Sequence, residues 1–220
     1  MPYSDVSIAM ATRNEEKAVG RVISDLRGVL GKAAEIVIVD SSTDRTPKIA
    51  RSMGAKVLTQ QPRGYGIAMR QSIMSATRPI VVTLDCDGTY PADAIPRMVE
   101  LARKGMDVVS ASRFKGRIRN MTPLNAAGNR MLALLASILF LRKITDITTG
   151  MRAYRRSNLH RFAWRENLSL PAELALRHIT AGYSYLEMDI SYSPRIGETK
   201  LDPLQGGVAF LKAILRMRIG

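Results

Sequence analysis

Ile80-Val81-Val82-Thr83-Leu84-Asp85-Cys86-Asp87-Gly88-Thr89-Tyr90-Pro91 is the stretch that decides how this chain folds. Its first five residues are apolar or β-branched and too few for a helix, which predicts a buried strand. Pro91, Ala92 and Asp93 then suit the first turn of a helix. Two carboxylates, Asp85 and Asp87, therefore stand where a central strand gives way to a helix. In open α/β sheets, ligands bind beyond the carboxyl ends of the strands. Two readings of the acids stay open at this level. They are alternate oxygen donors for one hard cation such as Mg²⁺ or Mn²⁺, or they are a helix cap and a solvated turn acid.

Outward from this stretch, short apolar runs alternate with helical patterns. Val6-Ser7-Ile8-Ala9-Met10-Ala11 predicts a first strand, Glu35-Ile36-Val37-Ile38-Val39-Asp40 a second, Lys56-Val57-Leu58-Thr59 a third, and Asp107-Val108-Val109-Ser110-Ala111-Ser112 a fifth. After the first, Thr12-Arg13-Asn14-Glu15 matches a capping box, and Val19, Val22, Ile23, Leu26 and Leu30 share one helical face. Thr46-Pro47 predicts an N-cap followed by Pro at the first helical position, with Asp44 capping the turn before it. Gly64 and Gly66 flank Tyr65 ahead of a helix to about Ala76, and Ile95, Met98, Val99 and Ala102 follow helical spacing. Four strand–helix alternations predict an α/β architecture, a mostly parallel sheet with helices on both faces.

Beyond residue 114 the pattern changes. Lys115-Gly116-Arg117-Ile118-Arg119 is a basic loop, and Leu124 to Leu141 predicts a helix apolar around most of its circumference. Such a helix is either core or lies at a membrane interface. Thr148 to Tyr154 returns to the sheet, Pro171 to Ala181 is a helix, and Tyr185 to Tyr192 is a strand. From Val208 to Arg218, Phe210, Leu211, Ile214 and Leu215 are interleaved with Lys212, Arg216 and Arg218. This basic amphipathic helix either anchors to a surface or docks on the domain. The expected organisation is one domain over residues 1–202 with a helical extension over 203–220.

At 220 residues and 46% hydrophobic content the chain has material for one substantial core. A single cysteine, Cys86, excludes an internal disulfide and fits a reducing compartment. The longest apolar run, Met131 to Leu141, falls short of the ~20 residues that span a bilayer. A net charge of +14, from 33 Lys and Arg against 19 Asp and Glu, predicts an anionic partner. With four Phe, one Trp and no basic–aromatic interleaving, the expectation is phosphates and an anionic membrane surface, and no nucleic acid.

The polar clusters Thr12-Arg13-Asn14-Glu15, Asp40-Ser41-Ser42, Asp85-Cys86-Asp87 and Ser112-Arg113-Phe114 all fall at predicted strand ends on one edge of the sheet. Later come Asn125-Ala126-Ala127-Gly128-Asn129, Asp146-Ile147-Thr148-Thr149-Gly150-Met151-Arg152-Ala153 and Arg195-Ile196-Gly197-Glu198-Thr199-Lys200-Leu201. In this order, from Ile8 to about Leu201, the chain resembles the family 2 glycosyltransferases of GT-A fold, above all the polyprenyl-phosphate branch of dolichyl-phosphate mannose or glucose synthases. It departs from the family pattern at Ala11 for Pro, in a shorter loop with a single leading Asp at Asp40, at Met151 for Phe and at Thr199 for Ser.

The resemblance implies that Thr12, Asn14, Glu15 and Asp40 meet the nucleotide. It implies that Asp85 and Asp87 bind a divalent metal, Mg²⁺ or Mn²⁺, on the donor diphosphate, with Thr89 where some relatives place a further ligand. Arg113, with Arg117 and Arg119, would meet the acceptor phosphate, a role suited to a bidentate guanidinium. Glu173 would lie near the acceptor site, and Arg195 and Lys200 would neutralise the diphosphate. Asp146 stands where a base is looked for, yet a lipid phosphate with a second pKa near ~6 is already largely anionic at neutral pH. Asp146 is therefore expected to orient arginines. Cys86 is expected to face the core, with His160 and His178 in helix-like contexts and no thiol partner.

The expected activity is inverting, metal-dependent transfer of a hexose from a nucleotide-sugar of the GDP-mannose or UDP-glucose class to polyprenyl or dolichyl phosphate. Many relatives carry transmembrane helices after this point, so the chain is expected to be truncated or peripheral, in the cytoplasm on the cytoplasmic membrane face. One alternative is a same-fold transferase acting on a soluble or polysaccharide acceptor. Another is a sugar nucleotidyltransferase, against which Thr12-Arg13-Asn14-Glu15 lacks a glycine-rich loop. A basic nucleic-acid module is motivated by charge alone.

Overall fold

The computed structural model describes residues 2–114, 121–197 and 202–219. The elements run β1 (Val6–Thr12), α1 (Val19–Leu30), β2 (Glu35–Asp40), α2 (Thr46–Ser52), β3 (Lys56–Thr59), α3 (Tyr65–Ser75), β4 (Ile80–Thr83), α4 (Ile95–Arg103), β5 (Val108–Ser112), α5 (Pro123–Phe140), β6 (Arg152–Arg155), α6 (Arg156–Leu159), α7 (Leu170–Thr180), β7 (Tyr185–Asp189) and α8 (Pro203–Ile219). A 3₁₀ turn, Ala92–Ala94, leads into α4.

Seven strands form one sheet in the order β3-β2-β1-β4-β6-β5-β7. All pairings are parallel except those of β6, which runs antiparallel to both β4 and β5. β4 is thus the central strand, as its unbroken apolar run predicts for a strand covered on both faces. Successive side chains go to opposite faces. Ile8, Met10 and Val82 join a core with α1 and α4, while Ala9 and Val81 join a second core with α3, α5, α7 and α8.

The register positions the site. Thr12 pairs with Asp40 at the ends of β1 and β2, and Ala9 pairs with Thr83 at the end of β4. Because β6 is antiparallel, its start lies at that same edge: Arg152 pairs with Thr83. The segment that leads into β6, residues 146–151, is thereby delivered to the carboxyl ends of the parallel strands.

Several local expectations shift. The capping box fails: α1 begins at Val19 with Ala18 flanking it and no side-chain cap. Thr12 is instead the last residue of β1, its hydroxyl donating to Asp40 across the strands at 2.7 Å. Thr46 is the first residue of α2 and Arg45 its N-cap, while Asp44 just before braces the turn, its Oδ1 accepting from Thr46 N and Oγ1 at 2.9 and 2.5 Å. Gly66 lies inside α3, close under Asn167. The basic tail is longer than its periodic part and docks on α5 and α7, burying Ala213 and Ile214. The ion pair Arg216–Glu166 fastens it.

Candidate active site

The strand ends open into a cleft of about 470 Å³ whose wall includes Thr12, Glu15, Ser41, Tyr65, Asp85, Gly150, Asn167, Arg195 and Phe210. Its first wall is the pair of loops after β1 and β2. Asp40 is 1% exposed and its carboxylate accepts from Thr12 Oγ1, Ser42 N and Ser42 Oγ at 2.7, 3.1 and 2.6 Å. Asp40 therefore shapes the wall from behind, and Ser41 faces the cleft in its place. Asn14 has a left-handed backbone, φ 52°, in which its N–H donates to Ser42 Oγ and its Oδ1 accepts from Thr43 N. It ties the two loops together. Glu15 donates its backbone N–H to Thr46 Oγ1 at 2.8 Å and turns its carboxylate towards Arg195.

The acidic pair forms the floor. Asp85 accepts a hydrogen bond from the Tyr65 hydroxyl at 3.1 Å. Burial, then the charge of Asp87, pushes the Asp85 carboxyl up to about 6. A Cβ on Gly150 would fall 2.9 Å from Asp85 Oδ2, so the chain approaches the acid this closely only through glycine. The Gly150 N–H donates to the Tyr90 hydroxyl oxygen at 2.7 Å. Asp87 is 4% exposed. Its Oδ1 accepts from Thr89 N and Oγ1 at 3.0 and 2.6 Å, and its Oδ2 lies 3.2 Å from Arg195 Nη2. Thr89, at the position where some relatives place a further ligand, here donates to Asp87 and orients it. Gly88, at φ +76°, makes this tight turn possible under Ile196.

The segment 193–196 is laced onto this floor. Ser193 N donates to Thr89 O at 3.0 Å and Ile196 N to Asp87 O at 2.8 Å. Arg195 is thereby held over the acids, within 3.5 Å of Glu15 as well.

A second cationic centre lies at the end of β5. Arg113 donates Nε to Asp146 Oδ2 at 2.7 Å, and Nη2 to Asp146 Oδ1 at 2.9 Å and Thr148 Oγ1 at 2.7 Å. Its guanidinium stacks over Tyr192 at 5.2 Å. Asp146 is fully buried, and its two oxygens accept from Arg113 and, at 3.2 Å, from Thr148 Oγ1, an arrangement that orients the Arg113 guanidinium. Arg152, buried at 1% exposure, joins Ser110 Oγ, Pro171 O and Ile147 O. It fixes the 146–150 segment against α7.

Glu173 is a correction. It is fully buried and accepts from the backbone N–H groups of Arg165 and Glu166 and from Arg177 Nε. It holds the turn that presents Asn167 to the cleft and does not itself line the cleft. Cys86 is buried in the core, and burial with the surrounding acids pushes its thiol far up, which removes it as a nucleophile. Arg117, Arg119 and Lys200 lie outside the described residues.

Sequence reasoning missed Tyr65, Asn167, Tyr90 and Phe210. The Gly64-Tyr65-Gly66 spacing carried a signal: Gly66 N donates to Asn167 Oδ1 at 2.7 Å, and a Cβ there would meet Asn167 O at 2.3 Å. Asp85 and Asp87 are oxygen donors of the type a hard divalent cation takes. Two adjacent carboxylates, Asp87 buried and Asp85 half-buried on the cleft floor, form a set that gains from such an ion. Among the described residues no cluster of three or more His, Cys, Asp or Glu side chains exists that could hold one alone.

Comparison with known proteins bears on this site. The family described as Glycosyl transferase family 2 matches residues 7–162. Dolichyl-phosphate hexose transferase of Haloferax volcanii is 47% identical over 215 residues, 98% of this chain and 94% of that protein. Glycosyltransferase AglJ of the same organism is 34% identical, covering 99% of this chain and 74% of its own. Among solved structures, glucosyl-3-phosphoglycerate synthase from Mycobacterium tuberculosis, in complex with Mn²⁺, uridine diphosphate and glucosyl-3-phosphoglycerate, superposes with a TM-score of 0.77 at 18% identity. It covers 97% of this chain and 79% of its own. Mannosyl-3-phosphoglycerate synthase from Rubrobacter xylanophilus gives 0.76 at 18% identity, over 96% and 72%. At that identity the likeness is one of fold, the GT-A fold.

Proposed function

The chain belongs to glycosyl transferase family 2 and is a glycosyltransferase, and from that premise we propose that it moves a hexose from a nucleotide-sugar onto a polyprenyl or dolichyl phosphate. The observation that carries this reading is the pairing of two unlike centres on one sheet edge. One is the acidic floor Asp85/Asp87 under Arg195. The other is Arg113, held by Asp146 and Thr148 with its Nη1 hydrogens unclaimed among the described residues. The first suits a diphosphate with a divalent cation and the second suits a phosphate monoester. The 47% identical relative named for dolichyl phosphate supports the same acceptor class.

In this reading Asp85 and Asp87 hold Mg²⁺ or Mn²⁺, and the similar fold that carries Mn²⁺ with uridine diphosphate supports the pairing. Bound there, the cation supplies Lewis-acid neutralisation of the departing diphosphate. Thr12, Ser41, Glu15 and the Asn14-linked loop wall the nucleotide side. Arg113 holds the acceptor phosphate, whose oxygen forms the new bond to the anomeric carbon as the bond from that carbon to the donor diphosphate breaks. Direct displacement inverts the anomeric configuration. The attacking oxygen is already largely anionic at neutral pH, so no proton has to be removed. Asp146, filled by Arg113, then acts by orienting that guanidinium.

Association with an anionic membrane surface belongs to the same proposal. Among the described residues, ten of the twelve exposed large apolar side chains lie on α5, its C-cap and α8. On α8 they are Leu204, Val208, Leu211, Leu215 and Ile219, at helical spacing along one stripe. Exposed Lys212, Arg216 and Arg218 flank it. No described helix is long and apolar enough to cross a membrane, and the stripe fits interfacial binding.

The decisive experiment incubates the protein with polyprenyl phosphate in anionic vesicles, Mg²⁺ or Mn²⁺, and a panel of radiolabelled nucleotide-sugars. Label entering an organic-soluble, mild-acid-labile product is the expected result. Label transferred only to a water-soluble acceptor, or to none, overturns the lipid acceptor.

A further inference from the structure

Among the described residues, Arg195 pairs through Nη2 and leaves its Nε unpartnered. Nη2 is shared between Asp87 Oδ2 at 3.2 Å and Glu15 Oε1 at 3.5 Å. Nε is buried and meets no acceptor among the described residues. An unpaired buried donor is costly and rare in folded proteins. The position is not slack in the backbone, because Ser193 and Ile196 donate to Thr89 O and Asp87 O on either side of it. The chain thus delivers a cation to Asp87, yet the side chain, 27% exposed, still lines the cleft with a donor in hand.

We propose that Arg195 is the resident counter-cation of Asp87, and that it competes with a divalent cation for this carboxylate until a diphosphate takes the guanidinium. The inference rests on the metal and diphosphate reading above and adds the order in which charges are exchanged. A guanidinium and a divalent ion on one carboxylate repel each other at contact range. A diphosphate relieves this by bringing its own negative charge. It also presents paired oxygens, the acceptor geometry that engages Nε and Nη2 together. The orphaned Nε gains a partner in the same exchange that releases Asp87 Oδ2. Cation alone is then a poor ligand, and cation and diphosphate raise each other's affinity by the same factor. Arg195 is in this sense a positioning residue for the acidic floor before it touches any substrate.

The test is Mn²⁺ binding without substrate turnover. Mn²⁺ alone is titrated into wild type, Arg195→Gln, Arg195→Lys and Asp87→Asn, with free ion read by electron paramagnetic resonance. Arg195→Gln is expected to bind Mn²⁺ about fivefold or more tightly than wild type, the lower end of ordinary site-to-site coupling. Arg195→Lys keeps the charge and is expected to stay within about twofold of wild type. Asp87→Asn is expected to lose the site. In a second arm, saturating UDP or GDP should tighten Mn²⁺ by a larger factor in wild type than in Arg195→Gln. If Arg195→Gln binds Mn²⁺ no more tightly while Asp87→Asn abolishes binding, the exchange is overturned and the metal reading stands. If Mn²⁺ binds to none of the proteins, or ignores Asp87→Asn, both are overturned.

Discussion

Asp146 grips Arg113 with both carboxylate oxygens, Oδ2 2.7 Å from Nε and Oδ1 2.9 Å from Nη2, and also accepts the Arg113 backbone N–H at 3.1 Å. The Asp146 side chain is fully buried and that of Arg113 is 8% exposed. A carboxylate used up in this way positions a guanidinium and has no free edge from which to accept a proton. Asp146→Asn should therefore lower acceptor-dependent activity at least about tenfold while the pH–rate profile keeps its shape. It should also cost about 3 kcal/mol of stability, because it strands a buried charge. A lost limb of the profile would mean that Asp146 is a base after all.

Arg113→Lys keeps the charge and loses the planar fork. Its expected signature is an acceptor KM raised about tenfold with the donor KM unchanged, since the two centres are separate. Steady-state kinetics varying each substrate in turn will separate these. A donor KM that moves as much as the acceptor KM would assign Arg113 to the wrong substrate.

Tyr65→Phe removes one hydrogen bond to Asp85 and nothing from the cleft's volume. The expected cost in stability is about 1 kcal/mol, read from urea denaturation. Asp85, having lost the donor that favours its charged form, should also bind Mn²⁺ more weakly. Unchanged Mn²⁺ affinity would show that Tyr65 is only packing.

His178 gives a pH dependence of folding. It is fully buried among Phe162, Trp164, Tyr154 and Tyr183, with Nδ1 2.6 Å from Leu174 O, and burial pushes it down to about 4 from an ordinary 6.5. Between those values the unfolded chain binds the proton and the folded one does not, so stability rises with pH. The contribution is fully present above about pH 6.5 and is lost as pH falls towards 4, a total of up to about 3 kcal/mol. Urea midpoints from pH 4 to 7.5 should show this slope in wild type and a shallower one in His178→Phe. Equal slopes would remove His178 as the cause.

The outer stripe of α8 gives a prediction about surface binding. Leu211 and Leu215 are 39% and 40% exposed, so charging both should leave the fold in place. If the stripe enters a bilayer interface, each side chain contributes about 1.5 kcal/mol or more. Leu211→Glu with Leu215→Glu should then weaken flotation with anionic vesicles by about 100-fold or more. Undiminished flotation would move the contact elsewhere.

The inner strands β1, β2, β4 and β5 were legible because each is a short run buried along nearly its whole length, where the pattern depends on little beyond the run itself. The acids Asp85 and Asp87, and Arg113 at the end of β5, were legible for a related reason, as polar residues set directly after such runs. The capping box was not. Thr12 and Glu15 have the right types and spacing, but Asp40, 28 residues on from Thr12, takes its hydroxyl. Glu173 likewise reads as a first-turn acid with a possible ligand role, and the turn at Arg165 and Glu166 claims it.

By itself the sequence determined that strands and helices alternate, that the acids stand at a strand end, and that one edge gathers the polar loops. Periodicity and turn preference are local properties, written in neighbouring residues. The tertiary structure decided the antiparallel direction of β6, which brings Asp146 and Gly150 to that edge. It also decided the closure of Tyr65 and Gly150 on Asp85, and the loan of Arg195 to Asp87 from 108 positions away in the chain. These are contacts between segments with no local record of each other. They exist because a sheet covered on both faces fixes strand register, and the register in turn fixes which loops meet.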